Sequence, residues 1–242
     1  MAGTTEQVEE YREAAELPDK QQDEAYERLK RGIIEFEYLP GQRLSAKDVR
    51  ETFGGGRTPV REAIVRLQQE GLVYRSAKSG SYVSLIDIDA AKSAHFLRLN
   101  IERPVVREAA ARCTEESLSG MRATIEAQKA AVRSHDQRAF FDADNDMHEA
   151  IYTIAGRTYE WAWLARGAVD LDRFRWLHVK ARGLGWQSIL DEHEQLLGAL
   201  EHHDPEEAAY LVEHHLHVML DEKEEVLSAF PGYFKNAEDQ TA

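Results

Sequence analysis

Arg57-Thr58-Pro59-Val60-Arg61-Glu62-Ala63-Ile64-Val65-Arg66-Leu67 reads as the opening three turns of a helix. Thr58 is a capping residue for the orphan N–H groups of the first turn, and Pro59 fits the first helical position, where a missing N–H costs nothing. Val60, Ile64 and Leu67 share one face, so the helix buries that face, runs to about Glu70 and is closed by Gly71. Arg57 and Arg61 stand at its exposed start. Arginines there can reach guanine edges and phosphates if the helix lies in a DNA major groove.

Upstream, Tyr26, Leu29, Ile33/Ile34 and Phe36 have helical spacing from Asp23, and Leu39-Pro40-Gly41 ends that helix by turn chemistry. Ser45 caps a short helix through Val49 to Phe53 that Gly54-Gly55-Gly56 stops. Downstream, the alternating runs Leu72-Val73-Tyr74-Arg75 and Ser81-Tyr82-Val83-Ser84-Leu85 flank a Lys/Ser/Gly turn and predict a hairpin. Three helices and a hairpin make a winged helix-turn-helix, whose wing carries Lys78 toward the phosphate backbone or minor groove.

From Asp89 onward almost nothing reads as strand. Helical patterns cover 89–113 (with Pro104 as a kink), 115–134, 137–155, 159–180, 187–202 and 205–229, broken at points such as Ser134-His135-Asp136 and His203-Asp204-Pro205. Short loops between six helices imply an antiparallel bundle. The expected division is a flexible arm over 1–20, a winged helix over 21–86, a helical effector and dimerisation domain over 87–232, and a flexible tail over 233–242. The fold class is therefore mainly α.

The formal net charge of −14 becomes intelligible once divided. Residues 1–20 carry 2 basic and 6 acidic side chains, 21–84 carry 11 and 9, and 85–242 carry 17 and 29. A locally basic module sits on an acidic body, which favours specific contacts with DNA over indiscriminate binding. No apolar run approaches the roughly 18 residues of a membrane span, and the acidic start differs from a basic-then-apolar signal peptide, so a cytoplasmic location without membrane contact is expected. The single Cys113 excludes an intramolecular disulfide and reads as a small packed residue.

Residues Tyr26 to Val83 resemble the GntR family of bacterial transcription regulators. The resemblance is carried by Leu39-Pro40-Gly41-Gln42-Arg43-Leu44-Ser45, Arg57-Thr58-Pro59-Val60-Arg61-Glu62-Ala63 and Leu67-Gln68-Gln69-Glu70-Gly71-Leu72, in the family's order and spacing. It implies that Arg57, Thr58 and Arg61 contact operator DNA, with Lys47, Lys78 and Gly80 as further contacts. Gly55-Gly56 depart from the family's hydrophobic and small hydroxylated residues and forfeit a hydroxyl contact to phosphate. The helical remainder is similar to the FCD-type effector domain of the FadR-like branch. Phe96-Leu97-Arg98 with Glu102 resembles its opening signature, and Asp144, His148, Glu192-His193 and His215-Leu216 resemble the positions of its metal-binding members.

Spacing alone leads to the same four residues. Asp144 and His148 share a stripe with Phe141 and Ile151/Tyr152, His193 lies between Ile189, Leu197 and Leu200, and His215 lies with Ala208, Leu211/Val212 and Val218/Met219. Any one of these histidines alone reads as a core residue bonded to a carbonyl. Together with Asp144 and with the family pattern that the resemblance implies, they read as a site for one divalent metal ion per chain, since burying all four without partners is costly. A nitrogen-rich set with one carboxylate suits Zn²⁺ or Ni²⁺, with Mn²⁺ or Fe²⁺ as alternatives. His95, His135, His178, His202, His203, His214 and His217 read as surface or supporting residues. Arg173 and Arg175, and Arg98 from the first long helix, are candidates for a carboxylate effector, with surface salt bridges as the alternative. The four tryptophans read mainly as packing residues, one or two of which could line the pocket.

The expected protein is a homodimeric repressor on double-stranded operator DNA, responsive to a small organic acid bound at the metal. It is not expected to be an enzyme. The rival readings are a metal-dependent hydrolase and a DNA-binding protein whose bundle only dimerises.

Overall fold

In the computed structural model of the chain, residues 20–45, 47, 49, 57–76, 79–182, 185–221 and 223–235 are described. The arginine-bearing helix α2 (Arg57–Gln69) follows helix α1 (Lys20–Ile34), and a three-stranded antiparallel sheet completes this part. Its strands β1 (Arg43–Leu44), β2 (Val73–Ser76) and β3 (Gly80–Val83) lie in the order β1-β3-β2. Tyr74 faces Tyr82 across the hairpin, and Arg43 pairs Tyr82 from the other edge. The two-residue strand β1 is absent from the sequence-based expectation, being too short to show alternation. Lys47 and Val49 are helical, whereas the rest of the expected second helix, Gly55-Gly56 and Lys78 lie outside the described residues.

The predicted inward face holds: Val60, Ile64 and Leu67 of α2 are buried, as are Tyr26, Leu29 and Ile33 of α1. A polar clamp also ties the two helices. Tyr26 donates to Glu70, Lys30 sits 3.0 Å from Glu70, and Arg66 stacks 3.7 Å over the Tyr26 ring while pairing with Asp23 at 2.6 Å. Gly71 ends the helix at φ 76°, where the Leu72 N–H reaches the Leu67 carbonyl at 3.0 Å. A side chain at that φ would be strained, so glycine is required by the turn.

The chain divides between Leu85 and Ile86 into two compact units. The second comprises α3 (Ile88–Arg112), α4 (Glu115–Ser134), α5 (Gln137–Ala155), α6 (Thr158–Gly167), α7 (Val169–Arg182), α8 (Trp186–Glu201), α9 (Pro205–Asp221) and α10 (Lys223–Ala229). Local chemistry fixes the ends: Asp87 caps α3, Thr114 and Ser117 form a reciprocal capping box on α4, and Asp136 caps α5. The α3 helix runs through Pro104, and it packs against α5, α7 and α9. The span read as one helix over 159–180 is two, because Gly167 ends α6 and Ala168 turns out of helical geometry before α7 begins. Of the expected tail over 233–242, residues 236–242 lie outside the described residues; within the rest, Phe234 bridges Ile86 in parallel and Lys235 pairs with Asp87 at 2.9 Å.

The core of this unit is one apolar cluster that includes Met121, Met147, Ile151, Leu196, Leu200 and Leu216. None of the described helices is long and apolar enough to cross a membrane. Cys113 is buried, and burial pushes its thiol up, in keeping with an inert packed residue.

Candidate functional site

Among the buried stripes of α5, α8 and α9, Asp144, His148, His193 and His215 each present one ligand-capable atom, all within 4.8 Å of one another. One turn of α5 separates Asp144 from His148, and α8 and α9 supply the other two imidazoles. The first three side chains are buried and His215 is nearly so.

Two of the three imidazoles are oriented from behind by a hydrogen bond. His193 Nδ1 lies 2.7 Å from Gln128 Oε1, and the Gln128 amide nitrogen faces the Ala143 carbonyl at 3.3 Å, so the glutamine oxygen accepts and His193 Nδ1 donates. His215 Nδ1 donates to Glu192 Oε2 at 2.8 Å. With protons on both Nδ1 atoms, His193 Nε2 and His215 Nε2 turn lone pairs toward each other across 3.3 Å. A cation between them removes that repulsion. Two nitrogens each about 2.0–2.1 Å from a tetrahedral ion stand about 3.3–3.4 Å apart, so the separation fits. His148 Nδ1 is 2.9 Å from Glu102 Oε2, an ion-pair distance out of line for a hydrogen bond, and its Nε2 is buried without a partner. His193 Nε2 is 3.6 Å from Asp144 Oδ1.

The electrostatics suit the same occupant. Burial pushes His148 and His193 below the ordinary imidazole range and so keeps them neutral, as ligands must be. Burial alone would raise Glu102 and Asp144. Arg98 holds Glu102 low instead, and Arg175 does so for Asp144. Arg98 pairs with Glu102, and Arg175 pairs with Asp144 and Asp172, so ionised carboxylates gather around the imidazoles in a largely buried cluster.

A cavity of ≈ 110 Å³ opens beside Asp144 and His215. Arg98 lines it with Nε donating to Glu102 Oε1 at 2.5 Å and with Nη2 buried and unpartnered. Arg175 also lines it but is held by Asp144, by Asn145 at 3.1 Å and by Asp172 at 3.1 Å. Arg173 does not share the cavity: it is fully buried and pairs with Asp170 at 3.2 Å. Two positions on a helix differ by about 200°, so these arginines necessarily face apart.

Other readings shift as well. His178 lines the cavity rather than the surface, and His95 is buried with Nε2 2.7 Å from the Leu216 carbonyl. No tryptophan is among the lining residues. Trp186 and Trp176 instead back the phenylalanines that are, at ring separations of 5.5 Å from Phe140 and 5.4 Å from Phe141. Trp163 is 78% exposed, so it is no packing residue within the chain. Sequence reasoning missed Gln128 and the orienting roles of Glu102 and Glu192. The signal for Gln128 was present: it continues the Leu118, Met121, Ile125 stripe, where a polar residue among core positions needs a partner. Replacing Gln128 with leucine is expected to weaken zinc binding about 10–100-fold while leaving the four donors in place, measured by competition with a fluorescent chelator. Unchanged affinity would show that the glutamine does no more than fill space.

At the other unit, Thr58 and Arg61 are exposed on α2 on the side opposite Val60, Ile64 and Leu67, and Arg57 opens the same helix. Lys47 is exposed, with its N–H on the Ser45 hydroxyl at 3.2 Å. Gly80 begins β3 at φ 110°, where a Cβ would lie 3.4 Å from Arg43 Nε. The helix face and the hairpin thus present two arginine-bearing surfaces suited to a groove and its flanking backbone.

Comparison with known proteins places both units. Residues 21–83 match the bacterial regulatory proteins of the gntR family, and residues 94–218 match the FCD domain. The HTH-type transcriptional repressor RspR of Escherichia coli (strain K12) is 29% identical over 194 residues, covering 79% of this chain and 83% of that protein. The HTH-type transcriptional repressor NanR of Enterobacter sp. (strain 638) is 27% identical over 226 residues, covering 81% and 83%. The solved structure of E. coli McbR/YncC has the same fold, with a TM-score of 0.74 at 18% identity over 86% of this chain and 98% of that one. A GntR regulator from Rhodococcus sp. RHA1 gives a TM-score of 0.69 at 20% identity, covering 87% and 99%. A winged helix with an arginine-bearing second element, followed by a helical unit that converges three histidines and an aspartate, is thus matched in both parts, and the chain belongs to the gntR family of bacterial regulatory proteins with an FCD domain as its C-terminal unit.

Proposed function

We propose that this protein is a transcription repressor whose operator binding is controlled by a small carboxylate bound beside a metal ion in its FCD domain. The observation that carries the reading is the meeting of three imidazoles and Asp144 beside a cavity that Asp144, His215 and Arg98 line. The nitrogen-rich donor set favours Zn²⁺ or Ni²⁺. Asp144, His148, His193 and His215 would hold the ion, and a bound ion would polarise a carboxylate that also reaches Arg98. Arg57, Thr58 and Arg61 would read base edges and phosphates, with Lys47, Lys78 and Gly80 near the backbone. Membership of a family of regulators, not enzymes, removes the hydrolase reading.

The effector acts through its different affinity for the DNA-fitting and non-fitting states. Fluorescence anisotropy on DNA from upstream of the protein's own gene tests this. Stripping the metal with a chelator, or adding short carboxylates to the metal-loaded protein, is expected to change operator affinity by about 5–150-fold. Affinity indifferent to both would leave the FCD domain a dimerisation module only.

A palindromic operator calls for two copies. The apolar groove lined by Leu97 and Ile101 of α3 and Trp163 and Leu164 of α6, with Leu97 and Trp163 exposed, supports a second copy as its partner, since Glu160 is the one charged group among its described lining residues. Trp163→Glu is expected to convert a dimer to a monomer in light scattering. A dimer persisting at micromolar concentration would place the interface elsewhere.

A further inference from the structure

We infer that the effector is a small monocarboxylate with an aliphatic body, an assignment that rests on the effector reading above and narrows it. Three features of the cavity carry it.

The first is the number of donors on offer. Arg98 lines the cavity, lends Nε to Glu102 and has Nη2 buried without a hydrogen-bond partner. Arg175, the other lining arginine, is held on three sides by Asp144, Asn145 and Asp172. The remaining charged lining groups, Asp144 and Glu192, are negative, and Glu192 is already the acceptor for His215. One carboxylate therefore finds a partner beside the metal position. A second would face carboxylates, so di- and tricarboxylates are disfavoured.

The second feature is the wall. Phe140, Phe141, Val179, Ile189 and Leu216 line the cavity away from the charged group. Of the polar lining groups outside that cluster, the Ser188 hydroxyl donates to the Gly185 carbonyl at 2.7 Å, and His178 is the other. A ligand rich in hydroxyls would bury several without partners, and each unmatched hydroxyl costs free energy that an alkyl group does not.

The third is rigidity and size. Trp186 stacks on Phe140, and Phe141 lies between Trp176 and the Arg175 guanidinium, which is 4.7 Å from its ring centre. The wall is thus pre-formed, and a preformed apolar cavity selects by volume. At ≈ 110 Å³ it is on the scale of the engineered apolar cavities of about 150 Å³ that take benzene, which suits a short aliphatic body.

Isothermal titration of the zinc-loaded, full-length protein with four probes of matched length tests this: butyrate, 3,4-dihydroxybutyrate, succinate and 1-butanol. Butyrate is expected to bind, the dihydroxy acid and succinate at least roughly tenfold more weakly, and the uncharged alcohol not measurably. In Ile189→Asn the preference for butyrate over the dihydroxy acid is expected to fall to about threefold or less, while the metal content stays unchanged. Tighter binding of succinate or of the dihydroxy acid would overturn the assignment and leave the carboxylate-effector reading intact. Failure of all three acids to bind zinc-loaded protein would overturn both.

Discussion

His193→Ala is expected to abolish the metal-dependent part of this protein's stability. His193 is the fully buried imidazole whose Nδ1 is fixed by Gln128 and whose Nε2 lies between His215 and Asp144, at 3.3 and 3.6 Å. Losing an oriented donor costs more than losing its support, so affinity for zinc should fall by more than about 100-fold. A ligand that binds only the folded state stabilises it by about 4 kcal/mol at 1,000 times its dissociation constant, so the wild type should melt well above its chelator-treated form. The alanine also leaves a hole and a polar glutamine without its partner, which lowers stability whatever the metal does. The informative quantity is therefore the difference between melting temperatures with and without zinc, measured for each protein. Wild type should show a large difference and about one ion per chain by elemental analysis, the variant neither. Equal melting of the wild type with and without zinc or nickel would return the three histidines to ordinary core residues.

The charge around this centre argues the same way. Ionised carboxylates gathered in a largely buried cluster are tolerated poorly, because charge in a low-dielectric setting is expensive. Neutralising it by protonation is opposed by Arg98 and Arg175, which hold Glu102 and Asp144 well below the usual carboxylate range. A divalent cation stabilises these ionised groups without asking either carboxylate to take up a proton.

How much of this was legible in the sequence depends on whether the signal was local. The α2 stripe, the Asp136 cap, the Asp204 turn before α9 and the four candidate ligands all follow from spacing along one helix at a time. The break at Gly167-Ala168 was legible too, since glycine is a weak helix former, but the apolar residues on both sides of it mimic one continuous stripe. What spacing could not supply was which helix lies against which. His178 reaches the cavity because α7 packs beside α3, while Arg173, on that same helix, is turned to Asp170. The cavity's apolar wall is likewise assembled from α5, α7, α8 and α9, four helices with no local sign of sharing it. Strand β1 escaped because a two-residue strand has no period; its pairing with β3 is created by the hairpin that follows it 30 residues later.

On the DNA-binding unit, two arginines of one helix should behave oppositely. Among the described residues Arg61 makes no ion pair and is exposed beside Thr58, whereas Arg66 pairs with Asp23 and stacks over Tyr26. Arg61→Ala is expected to weaken specific operator binding by ~1–3 kcal/mol, about 5–150-fold, and to leave the melting temperature unchanged. Arg66→Ala should do the reverse. Its pair with Asp23 is exposed and worth only a few tenths of a kcal/mol after screening, and the stacking on Tyr26 adds about 0.5–1 kcal/mol, so a small loss of stability is expected with near-normal affinity once folded. Salt titrations separate the two kinds of contact: if Arg61 touches a base edge, its removal relaxes sequence preference at one position, whereas a phosphate contact would lower the salt dependence and weaken all sequences alike. Wild-type affinity in Arg61→Ala would remove this helix from the recognition surface, whatever its resemblance to groove-reading helices.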